Sequence, residues 1–446
     1  MKIKVLDCTL RDGGYVNDFS FGDETVKQII EDLSKSGVDY IEVGFLRNNK
    51  DIEETTVYTD VQQIRSFLPQ RKCPAKLFAM IVFGKYDIEK LPPKSQAPID
   101  GIRVTFKKHE IVEALQYIKQ VQEKGYIVSA NPTGIHAYSD EELLSLIKQV
   151  NFYKPDIFAI VDTLGVLKHN ELLRLFFLVD NNLDRKIAVA FHSHNNLQLS
   201  FSNAQVLLEA NSKRALLIDT SVRGMGRGAG NLCTELLLQY LNDNFDRKYN
   251  LIPILKIIDE QINKIYTKFP WGYNVPYYLA ASMCCHPNYA SFLVDKASIS
   301  VESISEILSI IPENKRANYD EKLIQELYLR YQENEVDDSL VIKALQAEII
   351  DHDVLVLAPG KSVVSFENVI KEYIAAYQPF VISINFRPQN IRVDKVFISN
   401  AKRFSEQSVF GSLILTSNIK SDKALRLNYG SYLNNSDMPD NSALML

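Results

Sequence analysis

The feature that most constrains the fold of this chain is a regular alternation of short apolar runs with amphipathic stretches over residues 1–245. Each run is nearly continuous in apolar residues, as are the strands of a parallel sheet that is buried on both faces. Eight such strands, each followed by a helical pattern, predict a (β/α)8 barrel, or TIM barrel, with a doubly wound sheet as the alternative. The predicted strands are 3–7, 40–45, 76–82, 101–106, 126–131, 157–162, 186–192 and 215–221.

The pattern changes twice after the barrel. Residues 246–345 carry helical periodicity and predict a helical extension. Residues 346–446 again alternate strand-like and helical runs, which predicts a small Rossmann-like α/β domain whose polar end, 434–446, is frayed. The strand-to-turn stretch "VLVLAPGKSV" (354–363) suggests a nucleotide pocket, since such a turn can offer backbone N–H groups to phosphate, although both phosphate-binding motifs are absent.

The totals exclude several classes of function. The net charge is −5 and no long basic run occurs, so nucleic-acid binding is not expected. Apolar runs stay shorter than the roughly 18 residues that a membrane span needs, and the start of the chain turns polar too early for a signal peptide. The five cysteines lack CxxC spacing. We therefore expect a reduced, cytoplasmic protein.

The stretch "FHSHNN" places two of the chain's seven histidines at the end of the seventh predicted strand. Side chains at positions i and i+2 of a strand point to the same face, so His192 and His194 should project together. Two neighbouring imidazoles can ligate one divalent cation. The alternative is a pair of structural histidines near a strand end.

Other polar residues follow the ends of the predicted strands, and in a barrel these ends meet at one rim. Asp12 could add a carboxylate oxygen to the two histidine nitrogens, and Asn231 an amide oxygen or a water-mediated contact. Such donors leave Mn2+, Mg2+, Co2+ and Zn2+ open. The cation would polarise a 2-oxo acid and stabilise its enolate, and Arg11 could stabilise the oxyanion.

Each motif alone has a simpler interpretation. "RDGG" can be a polar turn, "GMGRGAGN" a flexible loop or a phosphate cradle, and Asp162 the cap of a strand–helix turn. Their joint occurrence, in order around eight strands, favours a common site. A Schiff-base aldolase is disfavoured, because the apolar runs of strands 5 to 7 carry no lysine apart from Lys186 at the start of one.

At this point a family resemblance becomes specific. The motifs that carry it are "TLRDG" (9–13), "IEVGF" (41–45), "DTLG" (162–165), "HSHNN" (192–196) and "GMGRGAGN" (224–231). With them the chain resembles the DRE-TIM metallolyase superfamily, whose barrel is the HMG-CoA lyase-like or pyruvate carboxyltransferase domain, and looks most similar to its 4-hydroxy-2-oxovalerate aldolase branch. The isopropylmalate and homocitrate synthases of the superfamily usually continue "RDG" with Glu-Gln, whereas Gly14 and Tyr15 stand here.

The resemblance implies roles for particular residues. It implies a divalent metal, with Mn2+ the first expectation, and Arg11 as the catalytic arginine. The aldolases carry a catalytic histidine where Tyr15 stands, so Tyr15 becomes the acid–base candidate, ahead of His136 and His169 on rim loops. The implied metal ligands are Asp12, His192 and His194, with Asn231 completing or supporting the site. The residues expected near the substrate are Glu42, Asp162 and Thr163, to which we add Asn131 at the end of strand 5.

The expected function is therefore that of a metal-dependent carbon–carbon lyase. It would make or cleave a C–C bond through the enolate of pyruvate or another 2-oxo acid, with an aldehyde as the second small molecule. One alternative is an acyl-CoA-dependent synthase of the isopropylmalate or homocitrate type. Another is a degenerate barrel that carries a nucleotide-binding C-terminal domain. A homo-oligomer, and docking of an aldehyde dehydrogenase, are left open.

Overall fold

The computed structural model describes residues 2–49, 55–69, 74–296, 299–332, 336–405, 412–419, 421 and 424–427. Contacts between Cα atoms divide the chain into two compact units, Met1–Pro287 and Asn288–Leu446. The end predicted to be frayed, 434–446, lies outside the described residues. The predicted division into 1–245, 246–345 and 346–446 stays a prediction.

The first unit is a closed barrel of eight parallel strands, which confirms the predicted (β/α)8 fold. Strand β1 pairs with β2 on one side and with β9 on the other, and this closes the ring. The two-residue strand β3, Val57–Tyr58, pairs beside β2. The barrel strands lie within two residues of the predicted ones: β1 Ile3–Asp7, β2 Tyr40–Leu46, β4 Lys76–Val82, β5 Gly101–Phe106, β6 Ile127–Pro132, β7 Ile157–Asp162, β8 Ala188–Ser193 and β9 Leu216–Thr220.

Helices cover the outside of the barrel, with one irregular sector. In the described parts of the connections after β2 and β4, short 3-10 turns at Val61–Phe67, Ile88–Lys90 and Lys94–Gln96 replace the α-helices that regular alternation predicts. The second connection contains "LPPKSQAP" (91–98), whose prolines cannot continue a helix. The helices of this unit are α1 Asp23–Ser36, α2 Ile111–Glu123, α3 Asp140–Tyr153, α4 His169–Asn182, α5 Ser200–Glu209, α6 Thr234–Asn244, α7 Ile252–Ile257, α8 Asn263–Lys268 and α9 Val275–Ser282.

The barrel has an apolar layer between sheet and helices and a mixed interior. One interior layer is apolar and includes Leu6, Phe78 and Leu217. Towards the carboxyl ends of the strands, charged side chains replace apolar ones: Glu42, Arg103 and Asp219 are at most 2% exposed. Buried charges are costly unless they are paired, so this layer calls for a partner for each group.

The second unit holds helices and a five-stranded parallel sheet, in agreement with the predicted α/β character. Its strands follow chain order, from β10 Val354–Leu357 through β11 Phe380–Ile384, β12 Lys395–Ile398 and β13 Leu413–Thr416 to β14 Leu425–Leu427. A Rossmann sheet reverses its strand order, and its ligand crevice lies at that reversal. The described strands here have no reversal. The helices are α10 Pro287–Asp295, which begins at the end of the first unit, α11 Val301–Ser309, α12 Glu313–Arg316, α13 Glu321–Gln332, α14 Ser339–Ile349, α15 Lys361–Ser365, α16 Glu367–Tyr377 and α17 Ala401–Ser405.

Membrane insertion through a helix finds no support in the described part of the chain. None of its helices is both long enough and apolar enough to cross a bilayer.

Candidate metal centre and active site

Three predicted ligands converge at the carboxyl-terminal rim of the barrel. Asp12 lies in the turn after β1, His192 is in β8, and His194 follows that strand directly. One ligand atom from each residue lies within 4.8 Å of the other two. The two imidazole rings stand at 90° with their centroids 5.2 Å apart, so their nitrogens can approach one point from different directions. This geometry is that of a candidate metal site.

The protonation states of the ligands suit a cation. Burial alone would raise the pKa of Asp12, but the Arg11 guanidinium and the nearby imidazoles hold the pKa of this carboxyl well below its usual range. Burial lowers the pKa of His194 to about 3. Near neutral pH the site therefore offers a carboxylate and a neutral imidazole, which are the forms that ligate metals.

Asn231 supports the site from the loop after β9. Its amide nitrogen donates to Asp12 Oδ2 at 2.8 Å and to the carbonyl of Met225 at 3.0 Å. Its amide oxygen is buried and has no hydrogen-bond partner among the described residues. An orphaned buried oxygen is costly unless a cation or an ordered water satisfies it, so its position fits a nearby metal.

A row of buried charges runs beneath the ligands. His192 Nδ1 lies 3.1 Å from Asp219 Oδ2, and Asp219 pairs with Arg103. Arg103 Nη1 donates to Glu42 Oε2 at 3.1 Å, and Arg11 Nε donates to the same oxygen at 2.7 Å. Arg11 in turn pairs with Asp12, so the row returns to the candidate ligands. We call this set the charge ladder; its members are His192, Asp219, Arg103, Glu42, Arg11 and Asp12.

The charge ladder fixes the orientation of His192. Because Nδ1 faces Asp219, the other ring nitrogen, Nε2, is left for a cation, as in many carboxylate–histidine–metal triads. Arg103 and Asp219 were not among the predicted site residues. The signals were an arginine inside the apolar run "GIRVTF" and an aspartate at the end of "ALLIDT", both of which are unusual in a buried strand.

The residues predicted to lie near the substrate occupy different positions. Asn131 accepts a hydrogen bond from Arg103 Nη2 at 2.9 Å and donates to Ser129 Oγ at 2.7 Å, so it extends the charge ladder. Asp162 accepts the backbone N–H groups of Val166 at 2.9 Å and Leu167 at 3.1 Å, and burial raises its pKa to about 6. Asp162 thus caps the turn after β7, and a contact with substrate stays a prediction.

Thr163 and the rim histidines hold loops or face solvent. Thr163 Oγ1 accepts from the backbone of Gly134 at 3.0 Å and joins two rim loops. His136 is partly buried, and burial lowers its pKa. His169 is exposed and bonds Ser202 Oγ through Nε2 at 3.1 Å. The structure gathers none of these three into the metal cluster.

Tyr15 follows the candidate ligand Asp12 closely in the chain and lies in an aromatic cluster. It lies in the 3-10 turn Gly13–Val16 that follows Asp12, with ring centroids 5.0 Å from Phe19 and 6.1 Å from Phe45. The guanidinium of Arg227 lies over the Tyr15 ring, 4.0 Å from its centroid. Among the described residues the Tyr15 hydroxyl has no hydrogen-bond partner, so it is available to a ligand.

Arg227 and its neighbour His286 were also missed as individual residues. Arg227 Nη1 lies 3.1 Å from His286 Nε2. Arg227 is the one charged residue of the motif "GMGRGAGN", whose glycines suggest a flexible loop or a phosphate cradle. His286 lies 59 residues further along the chain, and no periodicity in the sequence connects the two.

Comparison with known proteins finds named relatives of this chain. A 4-hydroxy-2-oxovalerate aldolase from Geobacillus genomosp. 3 is 27% identical over 242 residues, which cover 54% of this chain and 70% of the relative. An oxaloacetate decarboxylase from Mycobacterium tuberculosis is 29% identical over 239 residues, which cover 53% of this chain and 69% of the relative.

Solved structures agree with the fold. The N-terminal domain of a candidate aldolase from Bacteroides vulgatus aligns with a TM-score of 0.57 at 28% identity, covering 68% of this chain and 99% of that one. The carboxyl transferase domain of Rhizobium etli pyruvate carboxylase with pyruvate aligns with a TM-score of 0.53 at 15% identity, over 69% of this chain and 56% of that one, a likeness of fold alone. Residues 2–259, more than half of the chain, match the HMGL-like family, and the protein belongs to that family.

Proposed function

We propose that this protein is a divalent-metal-dependent aldolase or lyase that makes or cleaves a C–C bond through a pyruvate enolate. The observation that carries the proposal is the convergence of Asp12, His192 and His194 within 4.8 Å, next to a buried arginine. Family membership supports an enzyme that acts on C–C bonds, and the named relatives are aldolases and a decarboxylase.

The residues present fit a resident cation. Asp12, His192 and His194 would hold it, and the orphaned oxygen of Asn231 would face it directly or through water. A divalent cation bound there supplies a Lewis acid that polarises the carbonyl of a 2-oxo acid. A cation held by three protein side chains would suit a catalytic site, whereas structural sites are usually closed by four.

Arg11 is placed to stabilise the enolate oxygen. Its Nε and Nη1 are engaged by Glu42 and Asp12, which fix the plane of the guanidinium. Its Nη2 has no partner among the described residues and can donate to an oxyanion. Burial next to two carboxylates keeps this group charged, since those carboxylates raise the pKa of Arg11 despite its burial. A preorganised, buried donor of this kind stabilises developing charge efficiently.

Tyr15 is the residue that we assign to proton transfer at the acceptor. It follows Asp12 by three residues, and its hydroxyl is free of protein partners in the described part of the chain. In the cleavage direction the hydroxyl proton of the substrate leaves as the C–C bond breaks, and Tyr15, directly or through a water, takes part in moving it. Glu42 and Asp219 act indirectly, by holding Arg11 and His192.

The experiment that tests the proposal is deuterium exchange into the methyl group of pyruvate. We expect exchange with added Mn2+, its loss on chelation, and recovery when the metal is restored. His192→Ala should lower the metal-dependent rate by about 100-fold or more, because a Lewis acid contributes several kcal/mol to such a step. His169→Ala is the matched control, since it removes an exposed rim histidine that is outside the cluster. Full exchange in His192→Ala would refute the metal assignment.

The exchange assay and a thiol-release assay together separate the alternatives. An acyl-CoA synthase would release a free thiol from acetyl-CoA in the presence of a 2-oxo acid, and an aldolase would not. A degenerate scaffold would give no exchange and would not need ligands that converge. That alternative also needs a nucleotide-binding C-terminal domain. The described strands of the C-terminal sheet lack the reversal of strand order at which nucleotide crevices form, so the sheet gives this alternative little support.

Decarboxylation of oxaloacetate is a second candidate function. It is favoured by the similarity to an enzyme of that name, and it passes through the same pyruvate enolate, with CO2 rather than an aldehyde as the other product. Pyruvate release from oxaloacetate, measured beside release from 4-hydroxy-2-oxovalerate, decides between the two.

A further inference from the structure

Arg227 is a cation beside Tyr15 that the proposed mechanism does not use. It belongs to the glycine-rich segment 224–231, is partly buried, and lies with its guanidinium 4.0 Å from the centroid of the Tyr15 ring. Its Nη1 lies 3.1 Å from His286 Nε2. Among the described residues no carboxylate lies within ion-pair distance of it.

The structure holds this arginine in place without neutralising it. A guanidinium has only donors, so His286 Nε2 has to accept its hydrogen bond and the imidazole has to be neutral. Burial and the charge of Arg227 lower the pKa of His286 to about 3, in keeping with that state. The Tyr15 ring adds a cation–π contact. Both contacts orient the guanidinium and leave its full positive charge.

The loop that carries Arg227 is anchored to the segment that follows β8. Asn196 Oδ1 accepts the backbone N–H of Ala229 at 2.9 Å, and its amide nitrogen donates to the carbonyl of Leu164 at 2.9 Å. Asn195 N–H also donates to the carbonyl of Gly230 at 2.7 Å. Arg227 is therefore mounted on a fixed segment, as a preorganised binding group has to be.

The charges of the ladder, a divalent cation and one substrate carboxylate balance without Arg227. Arg47, which lies over Phe45 and Phe19 in the same aromatic cluster, is a second arginine outside this balance. In the charge ladder two arginines face three carboxylates, which leaves one negative charge when the imidazoles are neutral. A divalent cation turns this into one positive charge, and the carboxylate of a 2-oxo acid cancels it. The charge of Arg227 is still unmatched. A substrate with one carboxylate would leave the charge of Arg227 without a counter-ion. A substrate with a second carboxylate would supply that counter-ion.

The neighbours of Arg227 indicate which half of the substrate it faces. It stacks on Tyr15, the residue assigned to the proton of the acceptor hydroxyl. Arg11, the residue assigned to the enolate, lies instead by Phe45, with its guanidinium carbon 5.8 Å from the Phe45 centroid. Because Arg227 contacts Tyr15, we assign it to the acceptor's half of the substrate.

We propose that Arg227, oriented by His286 and Tyr15, binds a carboxylate on the acceptor half of the substrate. This rests on the proposed function and narrows it: the acceptor is an oxo acid, and the full aldol substrate is a 4-hydroxy-2-oxo dicarboxylate. In the condensation direction, C3 of pyruvate loses a proton and forms a bond to the acceptor's carbonyl carbon, and the acceptor's oxygen takes up a proton. Atoms and charge balance without an oxidant or a further reactant.

Two matched acceptors test the proposal with the Mn2+-loaded protein. Glyoxylate and acetaldehyde are aldehydes that differ by a carboxylate in place of a methyl group. The wild type should use glyoxylate with the higher kcat/KM. Arg227→Gln and Arg227→Met should lower the glyoxylate-to-acetaldehyde ratio by about 10- to 100-fold, the range for a lost charged hydrogen bond. Arg227→Lys, which keeps the charge, should retain most of the ratio.

Arg223→Gln is the control for loss of an arginine nearby, since Arg223 bonds Asn263 and lies over Tyr266 instead. A second measurement uses binding alone: 2-oxoglutarate and 2-oxovalerate differ in the same way, and Arg227→Gln should weaken only the first. Equal effects on both members of each pair would overturn the proposal. Absence of pyruvate exchange in the wild type would count against the proposed function, and the binding pair would still decide the role of Arg227.

Discussion

At the scale of single residues, Asp219 links a candidate metal ligand, His192, to the buried Arg103. It accepts from His192 Nδ1 and pairs with Arg103, and it is 2% exposed. Burial alone would raise its pKa, but Arg103 and His192 lower it, so the group is a carboxylate in the folded protein. Such a buried carboxylate can act on a metal that it never touches, by orienting the ligand between them.

Replacing Asp219 with Asn should weaken metal binding. The amide keeps the shape but accepts the histidine's hydrogen bond less strongly, so we expect the Kd for Mn2+ to rise by about 10- to 100-fold. Titration calorimetry measures this, with a melting curve to confirm folding. Asp140→Asn, which removes a carboxylate from an exposed pair with Arg174, should leave the Kd unchanged. An unaltered Kd for Mn2+ in Asp219→Asn would show that the hydrogen bond from His192 to Asp219 does not affect metal binding.

The neutral state of His286 predicts a pH dependence of stability. Its pKa in the folded protein is about 3, below the ordinary value of 6.5, so the unfolded chain binds a proton between these values that the folded chain does not. Stability from this group is complete above pH 6.5 and is lost as pH falls towards 3. Between pH 7.5 and 5.0 the loss amounts to up to about 2 kcal/mol.

Urea unfolding of the chelated protein at these two pH values tests this effect. The free energy of unfolding should fall less with acid in His286→Gln than in the wild type, whatever the variant's own stability at pH 7.5. His109→Gln serves as the control, because His109 is well exposed. The same slope in all three proteins would contradict a buried neutral His286.

At the scale of elements, the turn after β7 holds the end of β8. Gly165 in this turn has φ +64°, and a Cβ at this position would lie 2.6 Å from the carbonyl oxygen of His194 and 3.0 Å from the backbone nitrogen of Asn196. The close approach of the two backbones sets where His194 sits. Asp162, at the start of the turn, caps it from within.

Gly165→Ala should therefore displace a metal ligand. We expect a loss of about 1 to 3 kcal/mol in stability and weaker Mn2+ binding, since both the backbone conformation and the contact become strained. Gly134→Ala is a closely matched control: its φ is +68°, but nothing lies within 4 Å of the added Cβ. Gly134→Ala should lose a similar amount of stability from its backbone conformation, and its affinity for Mn2+ should stay unchanged. Equal Mn2+ affinities in the two variants would exclude the contact with His194 as a determinant.

The elements also show what the sequence can and cannot reveal. Apolar runs with helical spacers predicted all eight barrel strands, and a two-residue strand period was enough to pair His192 with His194. Arg103 and Asp219 escaped, because strand pattern gives the face of a residue but not its partner across the barrel. The pairing of Arg227 with His286 depends on where a loop after β9 meets the turn after α9, which only tertiary packing decides.

At the scale of the whole molecule, the candidate site lies within one of the two compact units. Every residue of the metal cluster and the charge ladder, together with Tyr15, Arg227 and His286, lies within Met1–Pro287. A solved N-terminal domain aligns over 99% of its own length with 68% of this chain, a stretch somewhat longer than the first unit. The strand order of the second unit was not predictable, because the direction of each crossover is not written in local patterns.

A fragment of residues 1–287 should fold and keep metal-dependent pyruvate exchange within a few-fold of the full chain. Circular dichroism, Mn2+ titration and the exchange assay check this, with the full chain measured in parallel. A fragment that stays unfolded, or that binds Mn2+ without exchanging, would show that the second unit contributes to the barrel's stability or to the chemistry.

The closure of the barrel has a consequence for the order in which the centre can be assembled during synthesis. Asp12 follows β1, the histidines follow β8, and β9 is the strand that pairs with both β1 and β8. A nascent chain therefore carries its aspartate long before the two histidines, and the last barrel strand to be made brings the three candidate ligands together. At about 5 to 20 residues per second, roughly 10 to 40 s separate the ribosome's passage over Asp12 from its arrival at β9. Binding of a cation by all three candidate ligands would thus require a closed barrel.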